Sequence, residues 1–231
     1  MKRRIFAAFR AFLALAILAP GGSAVADDTT PDEIVDRARY TVTKIAREKD
    51  LRHTVPALLA RAKAVMVFPM LLKGAFLVGG EGGTGVLLSR DEAGNWSSPA
   101  FYTLGALSFG LQIGGQASEA MLIIMTDRGL KSIIDDQVKL GGDLSVAVGP
   151  VGVGTAAATT TAFSADVYSY SVNQGLYLGG SLEGAVIARR EDFNRYFYGP
   201  EASVEGIVLE RRFHDPRGDG LRQALSEAEA R

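Results

Sequence analysis

Residues 63 to 90 read KAVMVFPMLLKGAFLVGGEGGTGVLLSR, short apolar runs of β character punctuated by glycine, with almost no chemically reactive side chain among them. The same texture persists to about Gly184. It predicts a rigid β scaffold, and it offers by itself no nucleophile, metal cage or general acid–base pair. Candidate strands are Val65 to Phe68, Gly74 to Gly80, Gly85 to Arg90, Ala100 to Ile113, Ala120 to Thr126, Leu144 to Val148, Val151 to Ala157, Asp166 to Val172 and Leu182 to Ala188. In the fourth, Phe101, Thr103, Leu107, Phe109, Leu111 and Ile113 share one parity and Tyr102, Ser108 and Gln112 the other, the alternation of a half-buried strand. Gly149-Pro150 and Asn173-Gln174-Gly175 have the composition of hairpin turns.

Helices flank this region. Thr30-Pro31-Asp32-Glu33 combines a capping threonine, a proline at the first helical position and a glutamate three residues after the cap. Ile34, Ala38, Thr41, Val42 and Ile45 then fall on one face, predicting an amphipathic helix to about Glu48. His53 to Lys63 predicts a second, shorter helix, Asp127 to Asp136 an interposed one, and Glu191 to Tyr198 and Asp219 to Glu229 two more. The fold class expected is α+β: a Gly-rich, mainly antiparallel sheet or barrel-like core with amphipathic helices before it and helices after it. Asn95 to Ser118 and Leu144 to Ala165 are uncharged or nearly so and long enough to cross a bilayer, but their glycine, proline and polar content is that of strands.

Lys2-Arg3-Arg4, an apolar stretch from Phe12 to Leu18 and a break at Pro20-Gly21-Gly22 before Ala24-Val25-Ala26 make a tripartite secretory signal. The expected organisation is a signal peptide over residues 1–26 and one domain over residues 27–231, exported to the periplasm or cell exterior. No cysteine occurs, which excludes a thiolate metal site or a disulfide framework. Residues 1–26 hold four of the 25 Lys+Arg and none of the 26 Asp+Glu, leaving 21 basic against 26 acidic groups, net −5. That balance argues against a nucleic-acid partner, because such affinity rests on neutralising phosphates.

Motifs with chemical meaning fail on context. Gly80, Gly82 and Gly85 satisfy G-x-G-x-x-G, yet Val86-Leu87-Leu88 follows as a strand where a dinucleotide site needs a helix N-terminus, so a Gly-rich hairpin is expected. There is no G-x-S-x-G elbow, and the two histidines, His53 and His214, lie near opposite ends of the domain. Glu81, Glu119, Asp143, Asp166 and Glu183 sit in apolar or glycine-rich surroundings, where carboxylates serve acid–base chemistry or accept backbone N–H bonds at turns. No catalytic residue, metal or cofactor is expected.

Two features could meet a membrane. Phe68-Pro69-Met70-Leu71-Leu72-Lys73-Gly74 has the composition of an apolar loop ending in a lysine; Met70, Leu71 and Leu72 either insert among acyl chains or fold back onto a core edge. Lys44, Arg47, Lys49, Arg52, Arg61 and Lys63 oppose only Glu48 and Asp50 between positions 44 and 63, a local positive region that is either a lipid contact or a solvated helix surface.

The Lys63 to Arg90 segment, SPAFYTLGALSFGLQIGGQ (98–116), KLGGDLSVAVGPVG (139–152) and YSYSVNQGLYLGGSLEG (168–184), in that order, resemble the SYLF family. Lys63, Phe68, Pro69, Lys73, Gly74, Gly79 and Gly80 match its first motif, a lysine, a short strand ending in proline and a Lys-Gly pair. The resemblance implies a non-enzymatic phospholipid-binding domain. Anionic headgroups are favoured, with Lys63, Lys73, Lys44, Arg47, Lys49, Arg52, Met70, Leu71 and Leu72 as the lipid contacts. The alternative it implies is a protein-interaction or scaffolding module, like the actin-binding members, with a protein partner and no lipid ligand.

Overall fold

In the computed structural model, residues 29–76, 78–109, 116–135, 137–149, 165–173, 176–177, 182 and 184–231 are described. The expected signal peptide, the Val151 to Ala157 strand and Glu183 lie outside them, as do parts of both expected turns. Pro31 opens helix α1 (Pro31–Arg47), with Asp32 and Glu33 in the first turn and Lys44 and Arg47 in the last, each sign matched to the helix dipole. Its stripe of Ile34, Val35, Ala38, Val42 and Ile45 is buried. Each of its isoleucines and valines contributes about 1.5–3 kcal/mol of transfer free energy.

After α2 (Thr54–Leu59) the strands run β1 (Ala64–Phe76), β2 (Val78–Ser89), β3 (Ala100–Phe109) and β4 (Gln116–Ile124). Helix α3 (Asp127–Asp135) leads to β5 (Val138–Lys139), β6 (Val146–Val148), β7 (Val167–Asn173), β8 (Leu176–Tyr177) and β9 (Val186–Arg189), and α4 (Glu191–Tyr198), α5 (Val204–Val208) and α6 (Asp219–Glu229) follow. The sheet order is β5-β9-β3-β2-β1-β4-β7-β6, with β8 on β7. Every pairing between these strands is antiparallel except β6 with β7. The α+β class expected from the sequence is the class observed.

Through the middle of the sheet both faces are covered. Val65, Val67, Val86, Leu88, Phe101, Met121 and Ile123 pack in one core with residues of α1, α2, α4 and α6. Met66, Phe68, Leu71, Leu87, Tyr102, Leu104, Leu122 and Ile124 pack in a second core with residues of α3 and α5. This corrects the half-buried reading of β3: Phe101 and Tyr102, on opposite faces, are both fully buried. The tyrosine hydroxyl makes the polar-looking parity compatible with burial by donating to the Ile133 carbonyl at 3.2 Å.

The expected loop at Phe68 to Gly74 is instead the middle of β1. Phe68 pairs with Ala120 and Leu71 with Ser118, so Pro69 and Met70 together oppose Glu119 alone. Against β2 the same extra residue separates the Val67–Val86 and Leu72–Gly82 pairs. This one-residue bulge flips the parity of everything after it. Pro69 has no N–H to give a ladder and is tolerated at such a position. Gly83 and Gly85 face the bulge: a Cβ on the first would overlap the Met70 carbonyl and on the second the Val67 carbonyl and the Phe68 ring. Gly80, Gly82 and Gly85 likewise lie inside β2, which corrects the hairpin expected from G-x-G-x-x-G.

Helix α2 is shorter than the His53 to Lys63 stretch, because Lys63 already donates its N–H to the Ile124 carbonyl at 2.8 Å and enters the sheet. Helices α4 and α6 have the expected bounds. Arg217 fastens α1 to the end of α4: it bonds Asp32 at 3.0 Å and the Phe197 carbonyl at 2.9 Å, and stacks 3.9 Å over the Phe197 ring.

Candidate interaction surface

The expected contact residues fall into two places along β1. Lys63 precedes its first residue and Lys73 lies near its far end, roughly 30 Å away at the rise of an extended strand. They do not form one site.

At the far end, the bulge separates two adjacent leucines. Leu71 is fully buried in the second core, while Leu72 is 44 % exposed. Met70 is half-buried and its sulfur receives Arg37 of α1 at 3.7 Å. Lys73 is half-buried and stands opposite Glu81 in the register.

Two of the expected cations are already paired, Lys44 beside the bulge and Lys63 at the near end. Lys44 Nζ lies 2.6 Å from Glu119 Oε1, and Thr41 donates to the same carboxylate at 2.9 Å. Lys63 Nζ lies 3.0 Å from Asp127 Oδ1. Arg47 and Lys49 are exposed and have no ion-pair partner among the described residues, and Arg52 donates only to the ring of His53 at 3.1 Å.

The carboxylates considered for acid–base chemistry do not converge. Glu81 accepts from Ser118 at 3.4 Å, Glu119 faces α1, and Asp143 accepts the Lys139 N–H at 2.9 Å. Asp166 is the most enclosed. Thr126 donates to it at 2.7 Å and the Ser145 hydroxyl at 2.6 Å, with the Ser145 N–H at 3.1 Å and Arg128 beside it. Burial alone would raise its pKa, but these hydrogen bonds from Ser145 and Thr126 and the Arg128 charge together hold it below the ordinary aspartate value. Its contacts join β4, α3, β6 and β7, a structural cross-link.

One arrangement was not legible in the sequence. His214 Nδ1 lies 3.5 Å from Ser98 Oγ and its Nε2 3.7 Å from Asp219 Oδ2, beside an open polar cleft of about 410 Å³ lined by Asn95, Trp96, Arg222, Gln223 and Ser226. The residue types match a nucleophilic triad, but the geometry does not. Ser98 is only 6 % exposed, and Asp219 is held by Arg222 at 2.8 Å. Among the described residues no three His, Asp or Glu side chains cluster as a metal site, and no helix is long and apolar enough to cross a membrane.

The family described as "Ysc84: Las17-binding protein actin regulator" matches residues 105–228, more than half of the chain, from inside β3 to the end of α6. The chain belongs to the Ysc84, or SYLF, family. The family expected from the motifs is therefore the family found. Curated relatives of this Ysc84-family chain include "LAS seventeen-binding protein 3" of Saccharomyces cerevisiae, 33 % identical over 173 residues, 74 % of this chain and 38 % of that protein. Another is "SH3 domain-containing YSC84-like protein 1" of Homo sapiens, 34 % identical over 187 residues, 80 % of this chain and 52 % of that protein. "Protein YSC84" of Saccharomyces cerevisiae is 32 % identical over 173 residues, 74 % of this chain and 37 % of that protein. The Ysc84-family chain thus spans about half or less of the curated relatives it matches. The bulge and the unpaired cations precede the matched region, so the family match carries no information about them.

Proposed function

We propose that this chain is a non-enzymatic protein-interaction module. The observation that carries the reading is its membership of a family described by Las17 binding and actin regulation, with relatives named for Las17 binding. A sheet covered on both faces through its middle supports it, because recognition is there left to the outer surfaces of the helices and loops. Crosslinking of the tagged full chain in its native host, followed by mass spectrometry, tests it. A stoichiometric protein partner is expected; a chain that crosslinks to nothing above a tag-only control overturns it. Co-sedimentation with actin filaments asks separately whether the relatives' class of partner carries over.

We place that partner outside the cytoplasm, on the strength of Lys2-Arg3-Arg4, the short apolar stretch and Ala24-Val25-Ala26. Intact-mass measurement of the native protein is expected to find the N-terminus at or near Asp27. A full-length cytoplasmic product would defeat the assignment and return a cytoskeletal partner to consideration.

Anionic phospholipid is the second reading, and one observation favours it: half-exposed Leu72 adjoins Lys73, an apolar side chain beside a cation. On this reading Leu72→Ser with Lys73→Glu weakens flotation on phosphatidylserine vesicles, and raised salt weakens the wild type, since exposed charges are screened beyond about 8 Å at physiological ionic strength. Binding that survives both treatments excludes it.

A further inference from the structure

Along α1, Tyr40 and Arg47 stand exposed outside the buried stripe, while Arg37 and Lys44 reach from the flank of the helix to Met70 of β1 and Glu119 of β4. Tyr40 is 66 % exposed, and Arg39 both lies 5.0 Å from its ring centroid and donates to its hydroxyl at 3.4 Å. The exposed face runs directly into Arg47, Lys49 and Arg52, with Arg61 exposed beyond α2. Elsewhere most described arginines are matched: Arg90 to Glu229, Arg128 to Asp166, Arg189 to Glu205, Arg190 to Asp192, Arg195 to Glu191, Arg211 to Asp91 and Arg222 to Asp219. The fold thus matches its basic groups across most of its surface and leaves a concentration of them unmatched here. Carboxylates are present at the same end, but Asp36 lies 3.9 Å from Arg39, and Glu48 and Asp50 pair with none of these cations.

We propose that the exposed face of α1 and the α1–α2 corner dock an acidic segment of a protein partner. An exposed tyrosine with an arginine against its ring is the composition of an interface anchor: a large amphipathic ring with little conformational freedom to lose, beside a donor suited to carboxylates. A membrane is the weaker fit. A helix lying in a bilayer buries its apolar face among acyl chains, and here that face, from Ile34 to Ile45, is at most 2 % exposed because the sheet and α6 already cover it. A partner that brings carboxylates meets Arg47, Lys49 and Arg52 without first breaking an ion pair, which docking at Lys44 or Lys63 would require. This proposal rests on the interaction-module reading and adds where the partner sits and what charge it carries.

The test uses the full chain and a fluorescein-labelled amphipathic peptide of Glu, Leu and Ala, read by anisotropy. The triple variant Tyr40→Ala, Arg47→Glu, Arg52→Glu changes only exposed side chains. The control Tyr196→Ala, Lys131→Glu, Lys139→Glu makes the same change of charge and aromatic content on α4, α3 and β5. Wild type and control are expected to bind alike, with binding weakened by salt, and the α1 variant to bind about tenfold more weakly or worse. Equal binding by the α1 variant, an equal loss in the control, or no peptide binding by a wild type that floats on phosphatidylserine vesicles overturns the proposal. Crosslinking separates the two failures. A native partner still captured by the α1 variant leaves the interaction module standing and removes this surface, whereas no partner for any variant removes the module itself.

Discussion

Replacing Leu71 with alanine is expected to destabilise the protein by about 2–5 kcal/mol, the usual cost of emptying a fully enclosed leucine site. Replacing its neighbour Leu72 with serine is expected to stay within about 0.5 kcal/mol. The contrast follows from the bulge. Because Pro69 and Met70 together span one residue of β4, Leu71 returns to the face already occupied by Phe68 and Met66, where it is fully buried, and Leu72 turns outward. Urea denaturation midpoints of the two single variants measure it. Similar losses at both positions, or a larger loss at Leu72, would mean that the register after Pro69 is shifted by one residue.

A loss of about 3 kcal/mol is expected for Asp166→Ala, since it leaves the Ser145 N–H, the Ser145 hydroxyl and the Thr126 hydroxyl facing an enclosed space with no acceptor. Arg128 is 64 % exposed along its side chain and can return to water, so it adds little. The same carboxylate has a pH signature. Its folded-state pKa is lowered, so its contribution is fully present above the unfolded value of about 3.9 and is lost as the pH falls through that value toward the folded one. Denaturation of wild type and Asp166→Asn between pH 7 and pH 3 is expected to give a difference that is constant down to about pH 5 and shrinks below about pH 4. A difference independent of pH would show that the carboxylate is not held ionised.

Much of this architecture was legible in the sequence, and the exceptions around the bulge share a cause. Helix α1 announced itself by Pro31, by Asp32 and Glu33 and by its stripe, all local signals that its later packing reinforces. The bounds of α4 and α6 were equally local. What failed was information held by a neighbouring strand. Pro69 looks like a loop residue until β4 and β2 are set beside it, and Gly83 and Gly85 look like a hairpin until the carbonyls of Val67 and Met70 approach them. Two-residue strands such as β5 and β8 have no periodicity to detect. Helix α5 carries only a short local signal: Ser203 caps it by accepting the Gly206 N–H at 3.1 Å. For the surface, the basic residues were visible but their pairing was not, because Lys44 meets Glu119 and Lys63 meets Asp127 only through the sheet.

The first helix of the domain packs against the last, α1 against α6. A ribosome adding about 5–20 residues per second takes roughly 10–40 s to get from Pro31 to Asp219. Throughout that interval the stripe of α1 lacks one of its covering elements, and the nascent chain presents an oily ribbon to everything around it. The order of the helices therefore makes the covering of the α1 stripe a late event, which waits until Leu221 and Leu225 of α6 have been made.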